Sequence, residues 1–190
     1  MESLKNHINN YLEISETTFS EIARFFSYQG KKKKEYFLRE GEEFNKMFFI
    51  ESGCVNISFI KDNGQEQTID FAIENWWTSD FLSFSKSEKS RFSIRAIEDT
   101  SVIILTKDAK EKLLVEYPFM ETYFRAVFEK AYAASQNRIK LLYELSREEA
   151  YFHFRDNFPE FIQRVPQYLI ASFLGFTPEY LSEIRKKSIS

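Results

Sequence analysis

The spacing of apolar residues changes twice along this chain, and that change limits the architectures it can adopt. Residues 1–28 carry apolar side chains at helical spacing, with Ser15 as a candidate helix cap. From Gly30 to Leu105, short aromatic and β-branched runs alternate with turn residues, and after Thr106 the helical spacing returns. We therefore expect an α+β chain in which N-terminal helices precede an antiparallel β-roll of the double-stranded β-helix (jelly-roll) type. The strand candidates are residues 36–38, 47–50, 55–60, 68–73, 92–97 and 102–105.

The composition excludes several classes of function. A formal net charge of −3 gives no global positive field for nucleic acid or an anionic membrane, so any such contact is local. The apolar stretches are far shorter than the roughly 20 residues of a membrane span, so we expect a cytoplasmic protein without membrane contact. One cysteine, Cys54, and two histidines are too few for a typical metal centre. Because no histidine lies between Gly30 and Leu105, a cupin-type metalloenzyme is disfavoured, and we expect no metal, no cofactor and no catalytic residue.

A long helix is predicted after the roll. A short helix covers about residues 107–116, and a second one starts at Pro118 and continues to about Leu145, a length of about 42 Å. One row of its side chains repeats at heptad spacing. This seam consists of Phe124, Phe128, Ala131, Ser135, Arg138, Leu142 and Leu145. Such a helix either lies on its own domain or pairs with a second copy, and its length favours a two-fold homodimer through the seam.

Residues 146–190 predict a separate helical unit, which begins with a capping-box pattern at Ser146. Pro166 opens one helix, Gly175 ends it, and Thr177 caps the next. Two helices joined in this way form either a plain αα-hairpin or a helix-turn-helix, and the small and apolar positions around the turn favour the latter. The expected inward face consists of Leu169, Ile170, Phe173, Leu174, Leu181 and Ile184. The candidate DNA-contacting residues are Gln167, Thr177, Glu179, Tyr180, Ser182, Glu183, Arg185 and Lys186.

Four segments carry motifs, at residues 36–42, 49–55, 62–64 and 170–179. With the order of the elements, they resemble the Crp/Fnr family of bacterial transcription regulators over essentially the whole chain. The last segment is similar to the Bacteroidetes-type subgroup. The resemblance implies a cyclic-nucleotide-binding-like sensor domain over residues 1–117, a dimerisation helix over 118–145 and a helix-turn-helix DNA-binding domain over 146–190. It also implies double-stranded DNA and a second copy of the chain as partners, with RNA polymerase as a further one.

The ligand cassette departs from the family pattern. Cyclic-nucleotide-binding members place a Gly-Glu pair before a short helix and an Arg-Ser or Arg-Thr pair about ten residues later, which together bind the cyclic phosphate. Here Ser79 and Asp80 stand at the first pair, and Ser90 stands at the arginine position, with Arg91 one residue further on. Cyclic AMP, an unknown acidic or aromatic ligand, and no ligand at all stay open, with cyclic AMP the least favoured. The pocket candidates are Trp77, Thr78, Ser79, Asp80, Ser90, Arg91, Phe92 and Ser135.

The DNA-reading helix departs as well. Glu183 stands where the family usually places a guanine-reading arginine, and the sequence ends at Ser190, before the β-hairpin wing of many members. We therefore expect weak or altered DNA specificity. The leading hypothesis is a homodimeric DNA-binding regulator with a degenerate cyclic-nucleotide pocket. The alternative is a sensor or interaction module that has lost specific DNA binding.

Overall fold

A computed structural model describes residues 1–187, so the last three residues of the predicted 146–190 unit lie outside the described residues. The strands are β1 (Ser27–Lys31), β2 (Tyr36–Leu38), β3 (Lys46–Ser52), β4 (Val55–Ile60), β5 (Glu66–Ala72), β6 (Trp77–Thr78), β7 (Ser93–Ala96) and β8 (Thr100–Thr106). The helices are α1 (Glu2–Asn9), α2 (Glu16–Ala23), α3 (Phe81–Lys86), α4 (Lys107–Glu116), α5 (Met120–Glu144), α6 (Arg147–Asn157), α7 (Pro159–Arg164), α8 (Gln167–Leu174) and α9 (Pro178–Lys187).

The strands form two four-stranded antiparallel sheets, in the orders β1-β8-β3-β6 and β2-β7-β4-β5. Their inner faces share one core, in which Ile50 and Val102 of the first sheet pack with Val55 and Ile94 of the second. This confirms the predicted antiparallel roll and the strand candidates. The sequence did not predict β1 and β6, because β1 is largely exposed and β6 has only two residues. The predicted helical region was wrong at residues 27–28, which belong to β1.

The first two helices cover the outer face of the β1-β8-β3-β6 sheet. Ser15 caps α2, where its hydroxyl accepts a hydrogen bond from the Thr18 amide at 3.0 Å. Leu4 and Ile8 of α1 are fully buried, and they belong to the same core as Phe49 of β3. Strand β3 is therefore buried on both faces, which explains why it reads as a continuous apolar run rather than an alternation.

Helix α5 has its fully buried side chains only near its start. It has 25 residues and begins two residues after Pro118. Its buried residues are Met120, Tyr123, Phe124 and Val127, all in the first two turns or just after. Further along, Tyr132, Ile139 and Tyr143 are exposed, at 67%, 52% and 89%. Although α5 is long, no helix within residues 1–187 combines the length and apolar character needed to cross a membrane.

The C-terminal helices follow the sequence signals closely. Both hydrogen bonds of the capping box form between Ser146 and Glu149, at 2.8 and 3.4 Å. Gly175 adopts the left-handed conformation at φ 76°, and the hydroxyl of Thr177 accepts from the Tyr180 amide at 3.3 Å. These observations confirm the two-helix arrangement around Gly175.

The predicted inward face of α8 and α9 is confirmed in part. Leu169, Ile170, Leu181 and Ile184 are buried. Phe173 and Leu174 are only half-buried, because they line a cavity beside α8.

The helical unit packs directly on the roll. Phe71 and Ile97 of the roll share a hydrophobic cluster with Tyr151, Phe154 and Ile170 of the helices. The rings of Phe71 and Phe173 lie 5.1 Å apart. The outer side of the roll and the C-terminal helices therefore share one apolar cluster, which is distinct from the core between the two sheets.

Candidate ligand cassette and nucleic-acid interface

The cassette region is built around the carboxylate of Asp80, which is the N-cap of α3. Its Oδ1 accepts from the Ser83 amide at 3.0 Å. Its Oδ2 lies within hydrogen-bond distance of the Ser83 hydroxyl at 2.8 Å, the Arg91 amide at 2.9 Å and the Ser90 hydroxyl at 3.0 Å. Asp80 is only 2% exposed. The donors of this cassette therefore surround a carboxylate that belongs to the chain itself.

The Asp80 carboxylate stays ionised in this setting. Burial by itself raises the pKa of Asp80, but the hydrogen bonds from Ser83, Arg91 and Ser90 outweigh burial and hold that pKa below its usual value. A second anion such as a cyclic phosphate would meet a buried negative charge here, together with donors that already have an acceptor.

The remaining pocket candidates do not all share one site. Trp77, Thr78, Ser79, Phe92 and Ser135 line a cavity of about 730 Å³. Asp80, Ser90 and Arg91 form the separate hydrogen-bonded group described above. Ser79 is tied to the backbone, since its hydroxyl donates to the Lys46 carbonyl at 2.9 Å. The Arg91 residue is exposed and contributes its amide rather than its guanidinium to Asp80.

The sequence prediction missed Ser83. This residue donates to Asp80 through both its amide and its hydroxyl. An Asp followed three residues later by a backbone donor is the ordinary N-cap arrangement, so the pattern from Asp80 to Ser83 carried a usable signal.

The cavity lies between β5, α5 and the helices α6–α8, and its walls are mainly aromatic and aliphatic. Asp70, Arg138 and Glu160 are its charged lining residues, and the Arg138 charge acts on Asp70. Burial raises the pKa of Asp70, and the Arg138 guanidinium opposes that rise. The Arg138 guanidinium also lies 4.0 Å from the centre of the Phe173 ring. The cavity therefore suits an apolar ligand better than a nucleotide, whose phosphate is charged and whose sugar and base are polar.

The predicted dimer seam faces the chain's own cavity over much of its length. Phe124 is buried in the chain's own core, 6.1 Å from the Trp77 ring, and Phe128 packs on Phe81 at 5.4 Å. The seam residues that line the cavity are Phe128, Ala131, Ser135, Arg138, Leu142 and Leu145. Intrachain packing thus engages Phe124, Phe128 and Arg138, as in the alternative of a helix that lies on its own domain, and the two-fold dimer through the seam stays a prediction. Ser135 is exposed, and Leu142 is 58% exposed.

Charged and polar bonds hold the helical unit on the roll. Arg164 donates to both carboxylate oxygens of Glu74, at 3.0 and 2.9 Å, and to Glu98 at 3.2 Å. The hydrogen bonds to Glu74, despite partial burial, raise the pKa of Arg164, which stays charged. At the edge strand β5, the Thr68 amide donates to the Ser172 hydroxyl of α8 at 2.8 Å. We refer to Arg164, Glu74 and Glu98 below as the roll–helix clamp.

Helix α9 presents most of the predicted DNA-contacting residues to solvent. The exposed members of that set are Thr177, Glu179, Ser182, Glu183, Arg185 and Lys186. Tyr180 is half-buried, with its ring 5.5 Å from Phe176 and 5.8 Å from the Arg147 guanidinium. Gln167 is half-buried too, and its side-chain carbonyl oxygen is out of reach of solvent. Tyr180 and Gln167 therefore contribute to the helical unit itself as well as to its surface.

Comparisons with known proteins agree with this architecture. Residues 30–117 match the family model of the cyclic nucleotide-binding domain. The transcriptional activator protein Anr of Pseudomonas protegens is 25% identical over 118 residues, which are 62% of this chain and 48% of that protein. The chain thus spans about half the length of this curated relative.

Two solved structures share the fold. The c-di-GMP-responsive global regulator CLP of Xanthomonas campestris has a TM-score of 0.73 at 16% identity and is covered over 91% of each chain. FixK2 of Bradyrhizobium japonicum has a TM-score of 0.69 at 17% identity, covering 85% of this chain and 83% of its own.

Fold and site together define a class of protein in which a cyclic-nucleotide-binding-type roll is joined through a long helix to a helix-turn-helix. Within that class, residues 30–117 carry the cyclic nucleotide-binding domain, and the chain is similar to transcription regulators of the Crp/Fnr type. The resemblance drawn from the sequence is thereby confirmed at the family level, while the Bacteroidetes-type subgroup stays a prediction.

Proposed function

We propose that this chain is a homodimeric transcription regulator that inserts α9 into the major groove of double-stranded DNA. The observation that carries the proposal is the exposed polar face of α9, which follows the left-handed turn at Gly175. Leu181 and Ile184 are buried and fix the orientation of this helix on its unit. RNA polymerase as a further partner is supported by the family alone.

The exposed part of α5 supports the dimer. Tyr132, Ile139, Leu142 and Tyr143 are exposed, at 67%, 52%, 58% and 89%. Their spacing of seven and then three or four residues forms a stripe along one side of the helix. Apolar side chains in such a row are stabilised when a second α5 covers them, and a two-fold axis would place the same stripe on both helices.

The ligand proposal follows from Asp80. We propose that the cassette binds no cyclic nucleotide, because the Asp80 carboxylate already accepts from the donors that a phosphate would need. A ligand of the roll would instead occupy the apolar cavity beside α5. Calorimetry with cyclic AMP and cyclic GMP tests this: no binding is expected up to about 1 mM, and micromolar affinity would contradict the proposal.

Selection of genomic DNA fragments on the purified protein tests the DNA-binding role. The wild type is expected to enrich a defined sequence, and the double variant Arg185→Ala/Lys186→Ala is expected to lose most of that enrichment. Its matched control is Lys33→Ala/Lys61→Ala, which removes the same charge from exposed positions on the roll. The control should enrich the same sequence as the wild type.

The alternative, an interaction module without specific DNA binding, is supported by two exposed carboxylates. Glu179 and Glu183 lie four residues apart on α9 and so share one face, where they would oppose a phosphate backbone. If neither the wild type nor the variants enrich any sequence, the alternative replaces the regulator proposal.

A further inference from the structure

A second cavity, of about 400 Å³, lies between α1, the β5–β6 connection and α5, and it shares Trp76, Trp77 and Ala131 with the larger cavity. Its volume falls within the range of small-molecule sites. The polar groups that line it are His7, Asn10, Asn75 and Lys130, and the aromatic walls include Tyr11 and Trp76. None of the residues that surround Asp80 belongs to it. We call it the α1–α5 cleft.

A chain of hydrogen bonds fixes how His7 presents its nitrogens to this cleft. The indole Nε1 of Trp77 donates to the Tyr123 hydroxyl oxygen at 2.8 Å, because an indole nitrogen is a donor only. The same hydroxyl lies 2.8 Å from His7 Nδ1. Because the Tyr123 hydroxyl already accepts from Trp77 and has no other recorded acceptor for its hydrogen among residues 1–187, we assign that hydrogen to His7 Nδ1. A neutral His7 then carries its own proton on Nε2.

His7 is neutral at ordinary pH. Burial, and then the nearby charge of Lys130, lower the pKa of His7 to about 4. Its Nε2–H is thus a donor without an acceptor among the described residues, and His7 lines the cleft. The tautomer follows from the Trp77–Tyr123–His7 chain and does not depend on the pKa.

Lys130 supplies a positive charge at the same cleft. Its ammonium lies 5.5 Å from the centre of the Trp76 ring. Within the described part of the chain, no carboxylate lies within salt-bridge distance of Lys130, whereas Arg125 and Lys140 on the same helix each have an acidic partner. Asn75 has a positive φ of 66° and sets the turn that carries Trp76 to the rim. The cleft thus combines an unneutralised cation, an N–H donor and a flat aromatic wall.

We propose that the α1–α5 cleft binds a small aromatic carboxylate. Its carboxylate accepts from the Lys130 ammonium and from His7 Nε2–H, and its ring packs on Trp76. All the fixed polar groups here are donors or amides, so an anion is favoured over a cation. The site is independent of the proposed DNA binding, and its failure would leave that proposal standing.

The test is a titration of the full chain with benzoate, benzamide and cyclohexanecarboxylate, followed by calorimetry and tryptophan fluorescence. The chain contains two tryptophans, Trp76 and Trp77, and both line the cleft as well as the larger cavity, so fluorescence reports binding at either place. The Lys130 variants assign the signal, because Lys130 lines the cleft and not the larger cavity. Benzoate is expected to bind saturably, and benzamide, which lacks the charge, to bind at least about tenfold more weakly. Cyclohexanecarboxylate should also bind more weakly, because it lacks a flat ring.

Lys130→Gln should weaken benzoate binding about tenfold, whereas the control Lys140→Gln, on the same helix but outside the cleft, should not change it. Lys130→Arg keeps the charge and should retain most of the affinity, which separates a lost contact from a damaged fold. The proposal is overturned if benzoate shows no saturable binding up to about 10 mM. It is also overturned if benzamide binds as tightly as benzoate, or if the Lys130→Gln protein binds benzoate as tightly as the wild type. If cyclohexanecarboxylate binds as tightly as benzoate, the proposed packing of an aromatic ring on Trp76 is wrong.

Discussion

The Asp80 carboxylate shows how one side chain can occupy the hydrogen-bond donors of a cyclic-nucleotide cassette. A Gly-Glu pair leaves backbone donors open to a ligand, whereas Asp80 reaches back and accepts from Ser83, Ser90 and Arg91 itself. The sequence could predict that the pair is altered. It could not predict that Ser90 and Arg91 close on Asp80, because that contact depends on how the roll returns a segment ten or eleven residues away.

Asp80→Asn is expected to lower the free energy of unfolding by about 1–3 kcal/mol at neutral pH, because an amide offers one acceptor oxygen where the carboxylate offers two. The folded-state pKa of Asp80 is lowered, so its stabilisation is present above the unfolded pKa of about 3.9 and is lost as pH falls through the folded value. Urea unfolding at about pH 7 and about pH 3 measures this.

The difference between the wild type and Asp80→Asn should therefore shrink in acid. The control Asp62→Asn, at an exposed turn, should leave stability nearly unchanged. Equal stability of wild type and Asp80→Asn at neutral pH would show that the four hydrogen-bond contacts do not stabilise the fold.

Gly53 gives a second residue-scale prediction. It has φ 95°, and a Cβ there would lie 2.5 Å from the Thr100 hydroxyl and 2.7 Å from the Asp99 carbonyl. Gly53→Ala is therefore expected to lower the free energy of unfolding by at least about 2 kcal/mol, from the left-handed backbone and the clash together. Gly30→Ala, with open space around its Cβ, is the matched control and should stay within about 1 kcal/mol. Denaturant unfolding of both variants measures the two free energies of unfolding. Equal losses in the two variants would contradict the close packing of Gly53 against Thr100 and Asp99.

At the scale of elements, the position of helix α5 could be predicted from the sequence, whereas the partner of its apolar stripe could not. Periodicity located the helix to within two residues at its start, since Pro118 precedes Met120. Heptad spacing, however, describes any helix that buries one stripe, whether the cover is a partner or the same chain. Whether a partner or the same chain covers the stripe depends on where the roll and the helical unit lie. That position is seen only in the folded chain, where Phe124 packs near Trp77 and Arg138 lies over Phe173.

Ile139→Glu tests the exposed stripe of α5. A charge placed in an apolar helix pair is expected to convert the dimer into a monomer at micromolar concentration, measured by light scattering. Ala133→Glu adds the same charge at an exposed position outside the stripe and should remain dimeric. A monomeric wild type, or a dimeric Ile139→Glu protein, would exclude this interface.

The roll–helix clamp is expected to stabilise α7 and α8 on the roll. Arg164→Gln removes the bidentate bonds to Glu74 and the bond to Glu98, and it is expected to reduce amide protection in α7 and α8 about tenfold while leaving the roll core protected. Arg155→Gln is the control, because Arg155 pairs on the surface with its neighbour Asp156. Hydrogen exchange read by mass spectrometry measures both. Unchanged protection in Arg164→Gln would show that apolar packing alone holds the helical unit.

At the scale of the whole molecule, the packing of the helices on the roll is the part that the sequence could not supply. The clamp joins residues 66 and 90 positions apart, and Ser172 meets Thr68 across 104 positions. No local pattern encodes such pairs. Local sequence patterns encode the order of the elements and the turn at Gly175, and both were predicted correctly. The family resemblance could therefore be recognised from the sequence, but the function of the pocket could not.

A footprint on the selected DNA reports on α9 and on the dimer in one measurement. We expect a protected, imperfectly palindromic site whose two half-sites are separated by about one helical turn, roughly 34–36 Å. The Ile139→Glu protein should protect it only weakly, and Arg185→Ala/Lys186→Ala should lower the salt dependence of binding by about two units of slope. Absence of any sequence-specific protection by the wild type, at low salt and with the protein folded, would exclude a homodimer that reads DNA through α9.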